Sequence, residues 1–278
     1  MPRARRFDWS NLGLRVASAA ILAPATVWAI WVFDLPERLW RAPFLTMVAV
    51  GGTLLCIEWG LMVAPKAAAR VAGILTLAVL SVVFLTYERL TWPAWTMVAF
   101  GALAAVVVSR GHAARTLDAA YGVLYIAPAC LVMVWLRETL QGRGWTLMLF
   151  AVTWAADIAA FVAGNALKGP KLWPRFSPNK TWSGFFGGLL GAMAAAVAVA
   201  DRLMHLSLAG AALIGLAGGL ATMMGDLWES MLKRRFGVKD SGDLIPGHGG
   251  LLDRVDGLMF ATMVFAGARL IVRYGWAH

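Results

Sequence analysis

The chain has 278 residues, 60% of them hydrophobic and only 14% charged, with a mean hydropathy of +0.70. So apolar a composition excludes an ordinary soluble domain and points to a polytopic membrane protein. The formal net charge of +10 comes with no arginine-rich arm and no aromatic-basic stacking motif, so it is not the footprint of a nucleic-acid binder.

A helix needs about 20 mostly apolar residues to cross the bilayer core. Nine segments meet that demand, near 14–33, 42–62, 71–87, 93–109, 119–136, 144–163, 185–200, 207–228 and 257–275, which predicts an all-α membrane protein of about nine transmembrane helices. The first segment starts basic. It is longer than a signal-peptide core and carries no clean small-residue cleavage site, so it is expected to stay as an uncleaved first helix. Cys56 and Cys130 both fall within spans, without partners at ligand spacing, and read as packing residues. No repeat with a period of roughly 20 to 50 residues is visible. The natural division is 1–150, with spans one to five, and 151–278, a catalytic membrane region containing two long loops, 164–184 and 229–256.

Charge orients the chain. With the N-terminus in the cytoplasm, Arg3, Arg5, Arg6, Arg15, Lys66, Arg70, Arg110, Arg115, Lys168, Lys171, Arg175, Lys180, Lys233, Arg234, Arg235, Lys239 and Arg254 lie inside, 17 of the 25 cations. The other eight lie outside or at outer helix ends, which satisfies the positive-inside rule. A basic inner face favours anionic lipid headgroups and nucleotides. Both long loops fall on that face, and connections of such length usually carry function. The first has Pro170, Pro174 and Pro178 to stiffen it, with Trp173 and Trp182 suited to headgroup level.

Six of the fifteen acidic residues, Asp226, Glu229, Asp240, Asp243, Asp253 and Asp256, crowd into the polar stretch 226–256. Asp226 ends the eighth span, while Asp253 and Asp256, three apart, share one face at the entry to the ninth. Three such carboxylates could hold Mg2+, which prefers oxygen ligands and usually takes one or two carboxylates together with water and substrate phosphates. The segment Ile245 to Gly250 sets three glycines around His248, a backbone whose successive N–H groups could cradle a phosphate. Lys239 and Arg254, each beside carboxylates, suit phosphate contacts. Lys233, Arg234 and Arg235 read first as inner-face anchors. Within the spans, Asp157 and Glu58 are ionisable groups at costly depth. Asp157 is placed to face the same inner cavity. Glu58 could instead pair with a cation or line the bundle without chemistry.

The 27 residues from Ser230 to Asp256 resemble the signature of the phosphatidate cytidylyltransferase (CDP-diacylglycerol synthase) family. Upstream, Asp157, Ala160, Gly164, Pro174, Ser177, Pro178, Lys180, Thr181 and Gly184 also match, so the likeness is close over about the last 130 residues and rests on hydropathy before them. Three positions depart: Phe161 stands where tyrosine is usual, Asn165 where lysine is usual, and Lys168-Gly169 inverts the usual order. These bear on the basic contacts of the first loop. The resemblance implies transfer of CMP from CTP to phosphatidate, giving CDP-diacylglycerol and pyrophosphate, with Mg2+ and with room for a second, monovalent cation such as K+. It implies catalytic roles for Asp226, Lys239, Asp240, Asp253, Arg254 and Asp256. Substrate contacts would come from Asp157, Ser177, Lys180, Thr181, Ser230, Lys233, Arg234, His248, Gly249 and Gly250. Asp226 and Asp253 are expected to ligate the metal, with Asp256 ligating or orienting them. The expected setting is a bacterial inner membrane with the site cytoplasmic; membrane lipids, CTP and phosphatidate are the partners, and a homodimer is compatible.

Other classes predict other patterns. A transporter or channel would explain the spans, Glu58 and Asp157, but would distribute polar residues along a pathway and show matching halves. A CTP-dependent transferase or kinase for another lipid acceptor, such as a prenol or an ether-linked phosphatidate, differs only in substrate. The aspartate pattern of CDP-alcohol phosphotransferases is absent, and a scaffold gives no reason for clustered carboxylates.

Overall fold

A computed structural model describes residues 9–32, 37–111, 115–174, 177–204, 206–238, 240–242 and 249–275. Lys239 and His248 lie outside them. The described chain is almost wholly helical: α1 (Trp9–Trp31), α2 (Glu37–Val63), α3 (Ala68–Tyr87), α4 (Thr91–Val108), α5 (Thr116–Glu138), α6 (Gly142–Leu167), α7 (Trp182–Leu203), α8 (Leu208–Arg235) and α9 (Leu252–Gly275). Eight of these, α2 to α9, are long and apolar enough to cross a membrane; in α1 the apolar stretch is Ala20–Trp31. The chain is thus an integral, all-α membrane protein.

Each helix stops for a local reason. Pro65 follows α2 and opens a single 3-10 turn, Pro65–Ala67. The Ser207 hydroxyl accepts the Gly210 N–H at 3.1 Å and caps α8. At its far end α8 runs past its apolar stretch, because Lys233, Arg234 and Arg235 favour the negative end of the helix dipole, and Gly237 at φ +74° then reverses the chain. The sequence placed the end of this span near residue 228 and a loop over 229–256; α8 instead runs to Arg235 and α9 starts at Leu252, so Glu229, Ser230, Lys233 and Arg234 are helical. The loop expected over 164–184 is also mostly regular. The α6 helix continues to Leu167, and an antiparallel hairpin follows, β1 (Lys171–Trp173) and β2 (Ser177–Thr181), pairing Lys171 with Thr181 and Trp173 with Ser177.

Helices α2 to α5 form one packed group and α6 to α9 another. Contacts of α5 with α6 and α9 join them, and α5 is the most enclosed span. Lipid is as apolar as leucine, so helices in a bilayer associate through close packing of small residues. Glycines 184, 187, 188 and 191 of α7 lie against Ala155, Ala156, Ala159, Ala160 and Ala163 of α6. The decisive crossing is between α8 and α9. A methyl at Gly225 would collide with the Asp256 carbonyl, and one at Gly257 would lie 2.7 Å from the Thr222 side chain. The two backbones touch there, and Asp226 and Asp256 are immediate neighbours of the contact.

Overpacking of this kind costs about 1–3 kcal/mol. Gly225→Ala should therefore lower the thermal midpoint of the detergent-purified protein. Gly267→Ala, on α9 where nothing lies within 4 Å, should leave it unchanged or raise it through helix propensity worth about 1 kcal/mol. Equal responses of the two variants would mean that α8 and α9 do not meet at Gly225.

Candidate active site

Polar elements of the two sequence regions gather at one end of the bundle. Lys180, from β2, forms a salt bridge with Asp226 of α8, which brings the two sequence-distant regions together. Around them opens a cavity of about 760 Å3, between α6, the hairpin, α7 and α8. Asp157, Lys168, Lys171, Lys180 and Asp226 supply its charged lining, Asn165 and Asn179 its amides, and Phe161, Leu172, Phe185, Met223 and Leu227 an apolar wall. Asp226, Lys180 and Arg254 are the charged groups that act on Asp157. The expectation that Asp157 faces this cavity holds.

The three aspartates read as one cluster do not form one. Asp256 is buried beside Asp226, within hydrogen-bonding reach of it, with Glu229 as its other charged neighbour. Its Oδ1 accepts the Gly257 N–H at 2.7 Å, and its Oδ2 is buried with no hydrogen-bond partner. Asp253 turns elsewhere. Its Oδ1 accepts from Lys233 Nζ at 2.6 Å, and the same ammonium holds the buried Glu229 at 2.7 Å. The reason is register: α9 runs antiparallel to α8, so Asp256 lies level with Asp226 beside the Gly225 contact, while Asp253, about one turn earlier on the same face, lies level with Glu229 and Lys233. Removing one member of such a buried group leaves a charge without compensation, at a cost of about 3–5 kcal/mol.

One amide of the glycine turn, that of Gly250, and three beside the turn are taken by the protein's own carboxylates. The N–H groups of Ser241 and Gly250 donate to Asp253 Oδ2, each at 3.3 Å, while Leu251 and Leu252 donate to Glu58 at 2.6 and 2.7 Å. Gly249 at φ +83° makes the bend that brings the Gly250 N–H to Asp253. Among the described residues Glu58 neither pairs with a cation nor idles in the bundle: it caps α9. Other predicted residues have similar structural attachments. The buried Thr181 hydroxyl accepts the Gly184 N–H at 3.1 Å and caps α7. Ser177 and Ser230 are half-buried on β2 and α8, and Asp240, Arg234 and Arg254 are exposed at the same end. Glu229 was not singled out from the sequence, although its spacing from Asp226 and Lys233, three before and four after, marks a shared face.

Among the described residues no three carboxylate, histidine or cysteine side chains gather at metal-ligand spacing. The Asp226–Asp256 pair nevertheless fits a divalent cation. Two carboxylates held together by backbone contact repel, and one presents a buried oxygen without a partner. Two carboxylates are also the usual protein share of a Mg2+ site, the other positions being left to water and phosphate.

Fold and site together define an integral membrane protein with one charged, cavity-bearing end built for phosphate chemistry. The chain matches the model of the cytidylyltransferase family over residues 13–271. It is 38% identical over 257 residues, 91% of each chain, to the phosphatidate cytidylyltransferase of Brucella suis biovar 1 (strain 1330). It is 35% identical over 276 residues to that of Pseudomonas aeruginosa, covering 94% of this chain and 97% of the other. The chain belongs to the cytidylyltransferase family.

If Asp226 and Asp256 hold a divalent ion, Mg2+ should raise the thermal midpoint of the wild-type protein, since a ligand bound only by the folded state stabilises it. Asp256→Asn should match or exceed wild-type stability without the ion, because it relieves the repulsion, and should not respond to Mg2+. A full Mg2+ response in that variant would place the ion elsewhere.

Proposed function

We propose that this chain is a phosphatidate cytidylyltransferase of a bacterial inner membrane, with its N-terminus and cavity on the cytoplasmic side. The observation that carries the reading is the cavity between α6, the hairpin, α7 and α8, where Lys168, Lys171 and Lys180 converge beside Asp157 and Asp226 while one wall remains apolar. Such a space can take a phosphate-bearing lipid head from the bilayer and a nucleotide from water. The names of the Brucella and Pseudomonas relatives support the same substrates.

In this reaction an oxygen of the phosphatidate phosphate attacks the α-phosphorus of CTP in line. The bond from that phosphorus to the bridging oxygen of the β-phosphate breaks, and pyrophosphate departs. A phosphate monoester with a second pKa near about 6 is already largely dianionic at neutral pH, so no strong base is needed. The obstacle is the meeting of two anions. The cavity lysines would hold the phosphates against their repulsion, and fixed charge in a site of low dielectric is the usual source of such catalysis. Mg2+ at Asp226 and Asp256 would supply charge neutralisation on the phosphate oxygens. Lys180, now paired with Asp226, is placed to exchange that partner for a phosphate. Asp253 orients Lys233 and the glycine turn, while Lys239 and His248, in the neighbouring loop, are carried by the signature alone.

Detergent-purified protein with labelled CTP, phosphatidate and Mg2+ should form CDP-diacylglycerol, and EDTA should abolish it. Asp226→Ala and Asp253→Ala should remove activity while leaving folded protein. Lys180→Ala should raise the requirement for CTP or phosphatidate and lower turnover by roughly a hundredfold, as loss of one charge-stabilising donor does. Product formation from another lipid acceptor but not from phosphatidate would overturn the assignment.

A further inference from the structure

Glu58 lies in α2, almost two hundred residues from the signature, and is completely buried. A carboxylate at such depth in a spanning helix is costly unless its oxygens are satisfied. Here they are satisfied by one short region. Oε1 accepts the Leu251 N–H at 2.6 Å; Oε2 accepts the Leu252 N–H at 2.7 Å and the Ser241 hydroxyl at 3.3 Å. The first two donors are among the unpaired amides at the start of α9, so Glu58 is a helix cap supplied by another helix, and its charge meets the positive end of the α9 dipole. The turn reaches it because two glycines allow the approach: a methyl at Gly250 would lie 3.0 Å from Oε1, and one at Gly242 3.2 Å.

The contact ties Ser241 to Leu251 and Leu252. Asp253 seizes the same two strands of chain from the opposite side, through Ser241 N and Gly250 N. The adjacent Trp59 repeats the logic, donating its Nε1–H to the Asp118 carbonyl at 2.9 Å, and Asp118 in turn is bridged to Arg235 at the end of α8. The α2 terminus therefore anchors α9 directly and α8 through α5.

We infer that Glu58 is a positioning residue: it sets the axial height and rotation of the α9 start, and so the placing of Asp253 and Asp256 against α8. The inference rests on the transferase reading for its consequence, though not for its geometry. It ascribes to the N-terminal half a part in the site beyond membrane anchoring.

The test uses Glu58→Gln in the full chain. Glutamine keeps the size and one acceptor oxygen but turns an NH2 group toward a backbone N–H, so one of the two amides loses its partner. In wild-type protein the Leu251 and Leu252 amides should exchange slowly with deuterium. In the variant, exchange over 249–254 should quicken by about tenfold or more, as a local cap opens. Turnover should fall by about a hundredfold, the effect of a misplacement near 1 Å, while the KM for CTP changes less than about threefold. A merely structural role predicts a lower thermal midpoint with normal kcat per folded molecule, and that result overturns the inference. So do fast-exchanging Leu251 and Leu252 amides in the wild type, a measurement that stands even if the variant does not fold. Failure of the transferase reading looks different, because the wild-type chain itself would then make no CDP-diacylglycerol.

Discussion

The site depends on two carboxyl groups forced together by two backbones. At Gly225 and Gly257 the α8 and α9 helices approach so closely that neither position has room for a side chain. Asp226 and Asp256, next to these glycines, inherit the proximity. Left to themselves such carboxylates would separate or bind a proton; the packing of small residues along α6, α7, α8 and α9 prevents the first. Packing leaves the pair a demand for a proton or a positive charge. In the structure Lys180 meets part of it at Asp226, and a buried Asp256 oxygen stays unmet. The demand is suited to a divalent ion that arrives with phosphates.

Around this pair the chain builds two kinds of polar contact. One faces the cavity, where three lysines, two aspartates and an apolar wall sit together at the end of the bundle. The other faces inward and holds the first in place: Lys233 between Glu229 and Asp253, Asp253 and Glu58 on the glycine turn, Arg235 on Asp118. Charges buried in a membrane protein are expensive, and each inward group is matched by an opposite charge or by backbone N–H donors. The cavity groups, open to solvent and substrate, can exchange partners; the inward ones cannot without leaving a buried charge exposed to apolar surroundings.

Much of this was legible in the sequence. Eight of the nine apolar runs became, among the described residues, helices long and apolar enough to cross a membrane, since hydropathy over about 20 residues is the strongest signal a membrane chain carries. The convergence of the two polar regions followed from their common side and is realised in the Lys180–Asp226 pair. What was hidden was partnership. Asp226, Asp253 and Asp256 are equal as letters, and only the rotation of α9 against α8 assigns Asp253 to Lys233 and Asp256 to Asp226. Nothing local to the glycine turn around His248 reveals that Glu58 and Asp253 hold the backbone where it runs into α9. Helix ends were misplaced for a simpler reason: Glu229 to Arg235 are polar yet helical, held by the dipole and by i to i+4 pairing rather than by hydropathy.

The account stands or falls on where a divalent ion sits. Crystals or frozen grids of the protein prepared with Mn2+ and a non-hydrolysable CTP analogue would locate it directly, by anomalous scattering in the crystal case. The ion should lie at about 2.1 Å from oxygens of both Asp226 and Asp256 and should touch the nucleotide phosphates. An ion bound away from this pair, with Asp226 and Asp256 apart, would contradict the central claim.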